Sequence, residues 1–378
     1  MIYSFKEEDV IKTYEYLHTI PEIEFEEHKT SAFIKDFLKN IGLSPVSCLE
    51  TGVYADIKGE KDNGKMLLFR ADIDALPVTE LTDAAYRSNH EGVMHACGHD
   101  VHMTCLLYAA KVLAENKDKF SGTVRVLFQP AEEGEGGAEP MIKKGAADGI
   151  TAAVAMHIEP LEKTGTIVYR NGSITACPDR FAIVVKGKGG HGAEPEKCIN
   201  PLLIASKVIT ELSQLKERHF ADRECILSVC TCHGGTSDNI IPDFVEITGT
   251  VRAIDNETRY MLRDKIKETA DKVCETGGAE AEFTYYALYP PTVNDKGMNN
   301  LVIKAANKTD GIALIKELEK SLMIGDDFAY FAEKAPSSYF KFGVDGKYPL
   351  HNAKMLPDEK ALMIGCNLFV NIAKEYLK

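Results

Sequence analysis

From Arg180 to Tyr286 the hydrophobic pattern runs strand, helix, strand, strand, helix, strand. The strands are expected over Arg180–Lys186, Glu224–Thr231, Phe244–Ala253 and Ala281–Tyr286, and the helices over Pro201–Leu215 and Glu257–Glu275. That order is the ferredoxin-like split unit, an α+β fold that is self-contained in about 110 residues. Everything before and after it must therefore form a separate core, and 378 residues are enough for two. The expected organisation is a discontinuous first domain, residues 1–177 and 290–378, with a smaller domain over 178–289 inserted in it. Pro290–Pro291 marks the exit.

The flanking sequence has a different rhythm. Val10, Tyr14 and Leu17, then Phe33, Phe37 and Leu38, recur at helical spacing on either side of Pro21. Strand-like runs follow at Gly52–Lys58, Lys65–Phe69, Thr123–Phe128, Ala152–Met156 and Ser338–Phe342. A helix is expected from Asp100 to about Lys117 and a short crossover helix over Met141–Ala146. Strands alternating with helices predict an α/β domain with helices on both faces of a mainly parallel sheet.

The formal net charge of −13, with no long basic run, argues against nucleic acid and anionic membranes as partners. No apolar run approaches the about 20 residues that span a bilayer, and the first twenty residues lack the basic and apolar regions of a secretory signal. Ten cysteines in so long a chain do not make a small disulfide framework. A cytoplasmic chain with free thiols is expected.

Residues with chemistry to offer cluster where expected strands end. Arg70-Ala-Asp72-Ile-Asp74 follows one strand, Glu132-Glu133 another, His157 a third, and His351-Asn352 a fourth. Ligands of α/β sheets gather outside the carboxyl ends of strands, so these distant segments can meet in one pocket. Cys97-Gly-His99 lies directly before a helix, and a thiolate and an imidazole two residues apart suit a divalent transition metal. Alone, Cys97 also reads as a small core residue, His157 as a core histidine, and Glu132-Glu133 as a solvated acidic loop. His90, His95 and His102 are surface or supporting residues. Of two adjacent carboxylates, one can hold a metal while the other takes a proton from water. His191, wrapped by glycines in the inserted domain, can donate to an oxyanion from an exposed turn, or simply belong to a flexible hairpin.

The segments RADIDALPVTE (70–80), HACGHDVHMT (95–104), FQPAEEGEGGA (128–138), MHIEP (156–160), GKGGHGAEPE (187–196), DNIIPDFVEITGTVRA (238–253), GDDFAYF (325–331) and HNAKMLPDE (351–359) occur in this order. Together they resemble the co-catalytic metallopeptidase/aminoacylase family, and most closely its amidohydrolase branch of hippurate hydrolases, N-acetyldiaminopimelate deacetylases and indole-acetyl-amino-acid hydrolases. The resemblance implies a zinc-exopeptidase-like catalytic domain with an inserted lid and dimerisation domain, and a homodimer. It implies two divalent metals per subunit (Zn²⁺, Mn²⁺, Co²⁺ or Ni²⁺) on Cys97, His99, Glu133, His157 and His351. Glu132 would be the general base and acid, Asp74 would orient a ligand, and His191 would reach the site of the other subunit. Asn239 and Arg252 would line the pocket of a small amide substrate. Two departures bear on specificity: Asp326 stands where the family usually has Glu, and Glu135 where Gly is common.

The implied activity is hydrolysis of N-acyl amino acids. Three alternatives stand beside it: a dipeptidase or carboxypeptidase using the same metals, a hydrolase with Cys97 as nucleophile, and a metal-stabilised binding protein.

Overall fold

The computed structural model describes residues 5–378, which form two compact units. Of the described residues, the first comprises 5–172, Val293–Lys320 and Asp327–Lys378, and the second Ser173–Thr292 with Ser321–Asp326. The second unit thus begins five residues before the expected 178, ends after 290, and takes back a short stretch near 321 that carries no break in hydrophobic rhythm.

In chain order the first unit starts with helices α1 (Glu7–Thr19) and α2 (His28–Asn40) and strands β1 (Val46–Cys48), β2 (Gly52–Lys58) and β3 (Lys61–Asp72). Helix α3 (His99–Glu115), strand β4 (Ser121–Gln129), helix α4 (Ala138–Lys143) and strands β5 (Ala152–Glu159), β6 (Thr166–Tyr169) and β7 (Gly172–Ser173) follow. Next come β8 (Cys177–Lys186), β9 (Gly190–His191), α5 (Pro201–His219), β10 (Cys225–His233), β11 (Ile240–Ile241), β12 (Phe244–Ala253), α6 (Asn256–Thr276) and β13 (Glu280–Tyr286). The chain closes with β14 (Val293–Asn294), α7 (Lys296–Ala306), β15 (Leu314–Glu317), α8 (Ala329–Ala332), β16 (Ser337–Gly343) and α9 (Lys360–Tyr376).

The first unit holds an eight-stranded sheet in the order β1-β2-β4-β3-β5-β16-β6-β15. Its four central strands, β4, β3, β5 and β16, run parallel, so their carboxyl ends share one edge. Strand β2 is antiparallel to β4 on one side and β6 is antiparallel to β16 on the other. The central strands are apolar along their inner length and buried on both faces, as a covered parallel sheet requires. Helix α3 is buried almost throughout, which matches its apolar residues on every side, and α9 packs along it. Phe369 of α9 meets Phe69 of β3 edge-on at 4.9 Å between ring centroids. Truncating either ring would cost about 3–5 kcal/mol.

The second unit is a four-stranded antiparallel sheet, β10-β12-β8-β13, with α5 and α6 packed on it. Strand β12 alternates buried and more open residues along its length, the period of a sheet covered on one face. Val245, Ile247 and Val251 point to the core with Val208 and Leu212 of α5 and Leu262 and Ile266 of α6. Among the described residues no helix is long and apolar enough to cross a membrane. All ten cysteines are free thiols.

Strand ends differ from expectation in one respect that matters for chemistry. The runs at 65–69 and 152–156 extend to Asp72 and Glu159, so His157 lies inside β5 and does not follow it. Polar residues inside the ladder hid these extensions.

Candidate metal centre

The ladder brings side chains into one row at the carboxyl edge. Asp72 of β3 pairs with Gln129 of β4, and His157 of β5 pairs with Lys341 of β16. Arg70 pairs with Ala155, and the same register carried two residues on sets Asp72 level with His157. Three loops complete the site. Gly98, in the left-handed region at φ +79°, caps α3 and separates Cys97 from His99. A Cβ there would fall 2.1 Å from Ile158 Cδ1, so only glycine allows this approach. Ala131, at φ +55°, turns the chain after β4 and presents Glu132 and Glu133. His351, at φ +64°, is fixed by its own N–H donating to the Ala96 carbonyl at 2.8 Å, one residue before Cys97.

These segments converge. Cys97 Sγ lies 3.4 Å from His157 Nε2. His351 Nε2 is 3.2 Å from Glu133 Oε1, and His99 Nε2 is 3.9 Å from both Glu132 Oε2 and Glu133 Oε1. Donor atoms of Cys97, His99 and His157 lie within 4.8 Å of one another, as do those of Cys97, Glu133 and His351 and those of His99, Glu132 and Glu133. Cys97, His99, His157 and Glu132 are buried, whereas the His351 side chain is 54% exposed.

Contacts at Nδ1 orient the rings of His99 and His157. His99 Nδ1 donates to the Asp74 carbonyl at 2.8 Å, leaving Nε2 to face the carboxylates. His157 Nδ1 is 2.8 Å from the Ile158 carbonyl, which turns Nε2 toward Cys97. His102 also borders the site, but Nδ1 donates to Asp72 at 2.5 Å and Nε2 accepts the Ile158 N–H at 2.9 Å. Both of its nitrogens are committed, so His102 is a support and not a donor to an ion.

The electrostatics of the row suit a bound cation. Burial and then the Glu133 and Glu132 carboxylates push the Cys97 thiol well above its usual range. Burial opposes charge on His99, but Asp72, Asp74 and Glu133 overcome it and raise the imidazole to about 10. Burial, with Lys341 and His102 adding to it, keeps His157 neutral. Burial also opposes ionisation of Glu133, yet His351, His99 and Cys97 hold its carboxyl below the usual range. His99 Nε2 is buried with no hydrogen-bond partner. A buried imidazole nitrogen without a partner, facing carboxylates and a thiol, fits a divalent cation that takes the place of a proton.

A second layer of polar groups supports the row. Arg70 donates to Gln129 at 2.9 Å, Asp72 at 2.6 Å and Asp327 at 3.0 Å, all buried. His18 joins Asp100 at 2.6 Å and Glu80 at 3.3 Å behind the Cys97–His99 turn. Lys341 Nζ is 3.1 Å from His157 Nδ1.

Thus Asp74, Cys97, His99, Glu132, Glu133, His157 and His351 meet in the first unit. His95 and His102 are buried there, while His90 is tied outside by its Nδ1 to the Pro21 carbonyl at 2.6 Å. His191, Asn239 and Arg252 belong to the second unit. His191 is exposed in the two-stranded ribbon of β9 with β11, a paired element where a flexible hairpin was one expectation. Its Nδ1 accepts the Ala193 N–H at 3.1 Å, and the Gly192 N–H donates to the Asn239 carbonyl at 2.8 Å. Arg252 lines a cavity of about 590 Å³ with Arg180, Phe181, Cys230 and Tyr286.

Sequence reasoning did not single out Glu27 or Lys341, and read Arg70, Gln129 and Asp327 only as parts of motifs. Lys341 carried a usable signal, a lone charge inside the apolar run Tyr339-Phe-Lys-Phe342.

The profile described as peptidase family M20/M25/M40 matches residues 68–375. The chain is 38% identical over 373 residues to N-acetyl-L-cysteine deacetylase of Bacillus subtilis, covering 98% of this chain and 89% of that one. It is 38% identical over 370 residues to thermostable carboxypeptidase 1 of Saccharolobus solfataricus, covering 95% and 93%. A crystal structure of a Bacillus subtilis protein described as a dinuclear metal-binding peptidase superposes with a TM-score of 0.88 at 33% identity, covering 98% of each chain. The chain belongs to peptidase family M20/M25/M40.

Proposed function

We propose that this chain, a metal-dependent amidohydrolase, cleaves the amide bond of N-acyl amino acids, releasing a carboxylic acid and a free amino acid. The observation that carries the reading is the Nε2 of buried His99, which makes no hydrogen bond and stands among Cys97, Glu132 and Glu133 at the carboxyl edge of a parallel sheet. Cys97, His99, Glu133, His157 and His351 would hold two divalent ions, the number named for the Bacillus subtilis dinuclear peptidase. When bound, such ions supply Lewis acidity for the amide carbonyl and for water.

The chain's own groups do the rest. Glu132, buried beside His99, takes the proton from water and returns it to the leaving amine. Asp74 accepts the Glu133 N–H at 2.9 Å and the Nδ1–H of His99 through its carbonyl, so one residue orients two of the donors. His191, exposed in an ordered ribbon, is assigned to the developing oxyanion of a second copy of the chain in a homodimer. Asn239 and Arg252 are assigned to the substrate.

N-acyl substrates are supported by the 38% identity to a deacetylase of N-acetyl-L-cysteine. Equal identity to a carboxypeptidase favours a second reading, cleavage of a peptide bond by the same residues. A Cys97 nucleophile is disfavoured, because its buried sulfur stands 3.4 Å from His157 Nε2 and within the donor sets of His99, His157, Glu133 and His351, where it serves an ion. The test is amine release from N-acetyl and N-benzoyl amino acids and from free dipeptides, with apo protein and added Mn²⁺, Zn²⁺, Co²⁺ or Ni²⁺. Metal-dependent release from the blocked substrates supports the proposal. Release from dipeptides alone moves the assignment to a peptidase.

A further inference from the structure

The turn that presents Glu132 and Glu133 is gripped through alternate amides. The N–H of Ala131 donates to Glu27 Oε1 at 2.9 Å, that of Glu133 to Asp74 Oδ2 at 2.9 Å, and that of Glu135 to Glu24 Oε2 at 2.7 Å. Gly136 N–H closes the turn on the Ala131 carbonyl at 2.9 Å. Two of the three acceptors come from the segment between α1 and α2, about a hundred residues away in sequence.

Glu27 stands out among them. It is fully buried, its other oxygen accepts the Thr51 hydroxyl at 2.5 Å, and no basic side chain pairs with it among the described residues. A carboxyl is poorly solvated in such a place and would not be retained for packing alone. It serves a residue, Ala131, held in the left-handed region where a side chain is strained. Strain of this kind persists only when surrounding contacts over-determine it. On the proposed assignment of Glu132 as base, we infer that Glu27 is a positioning residue for the catalytic turn: its carboxylate holds the Ala131 amide, and through it the direction of the Glu132 and Glu133 side chains. Thr51 orients that carboxylate. Burial, which raises the Glu27 carboxyl to about 7, is consistent with a group kept for its acceptor oxygens at some cost.

The test uses the full chain with metal, in two variants that suit a buried site. Glu27→Met fills the space without an acceptor, and Glu27→Gln keeps an amide oxygen for the Ala131 N–H. Amide hydrogen exchange of the peptide spanning 129–137 reads the turn directly, and kcat and KM on the substrate found above read its consequence. In Glu27→Met, exchange of that peptide should rise about tenfold or more while β3 and β5 stay protected. Its kcat should fall by ~10–100-fold, the order expected for a displaced catalytic group, with KM within about twofold. Glu27→Gln should recover most of both. Unchanged exchange in Glu27→Met overturns the inference, as does faster exchange with normal kcat, or loss of protection spread evenly over the unit. If the wild-type chain hydrolyses none of the panel, the functional reading fails separately, while the exchange data still decide whether Glu27 holds the turn.

Discussion

His99 Nδ1 and the Asp74 carbonyl oxygen, 2.8 Å apart, leave the imidazole one free nitrogen and aim it at two glutamates. The contact ties the end of β3 to the start of α3, so the donor set depends on the sheet being formed. Removing metal should therefore be felt by the fold as well as by the activity. Chelation should abolish turnover and lower the melting temperature, with metal at about a hundred times its Kd restoring about 2.7 kcal/mol. Calorimetry with and without added metal checks this; a melting temperature indifferent to chelator would count against a preformed site.

Glu132→Gln keeps the shape of the side chain and removes its basicity. We expect kcat to drop by ~10²–10⁴-fold, with bound metal and KM close to wild type. Steady-state kinetics alongside elemental analysis separates this from loss of an ion, which is the outcome expected for Glu133→Gln.

His18 should give the first unit a pH signature. Burial alone would discourage its charge, but hydrogen bonds to Asp100 and Glu80 raise it from 6.5 to about 9. A raised folded-state value means the ion pair contributes fully below about 6.5 and is lost as pH rises through about 9, a contribution on the order of 3 kcal/mol. Denaturant unfolding of His18→Gln should show its largest deficit near pH 6 and almost none near pH 10. An equal deficit at both would mean that packing, not charge, accounts for it.

Gly98→Ala tests the turn between two donors. A Cβ at φ +79° is strained by about 1–2 kcal/mol, and Ile158 Cδ1, 2.1 Å away, must move. Stability should fall by at least that much and metal affinity with it, as read by metal titration. Gly42→Ala, equally left-handed but with open space, is the control that should lose stability alone.

Much of this was legible in the sequence, for reasons specific to particular residues. Cys97 and His99 are two apart before a helix, and Glu132–Glu133 follow a strand, so local spacing already carried their chemistry. His351 was visible through its motif and its place in a loop after an expected strand, but the tertiary bond to the Ala96 carbonyl that holds it was not. Glu27 was not legible at all. Its acidic neighbours Glu24 and Glu26 make it look like a solvated face, and its contact with Ala131 spans 104 positions. Lys341 sits inside an apolar strand, where pattern reading counts residues as core, and Gln129 falls one residue past the expected end of its strand.

Strand β16 lies between β5 and β6, although about 180 residues separate Ala153 from its partner Ser337. During synthesis β5 must wait for about 180 further residues before its second edge is paired. Until then a row of open amides and an apolar surface stand exposed at the place where Cys97 and His157 meet, a template for pairing with other nascent chains. The nascent protein is therefore most vulnerable until β16 has emerged, and removal of residues 329–378 would both take away His351 and leave β5 an edge.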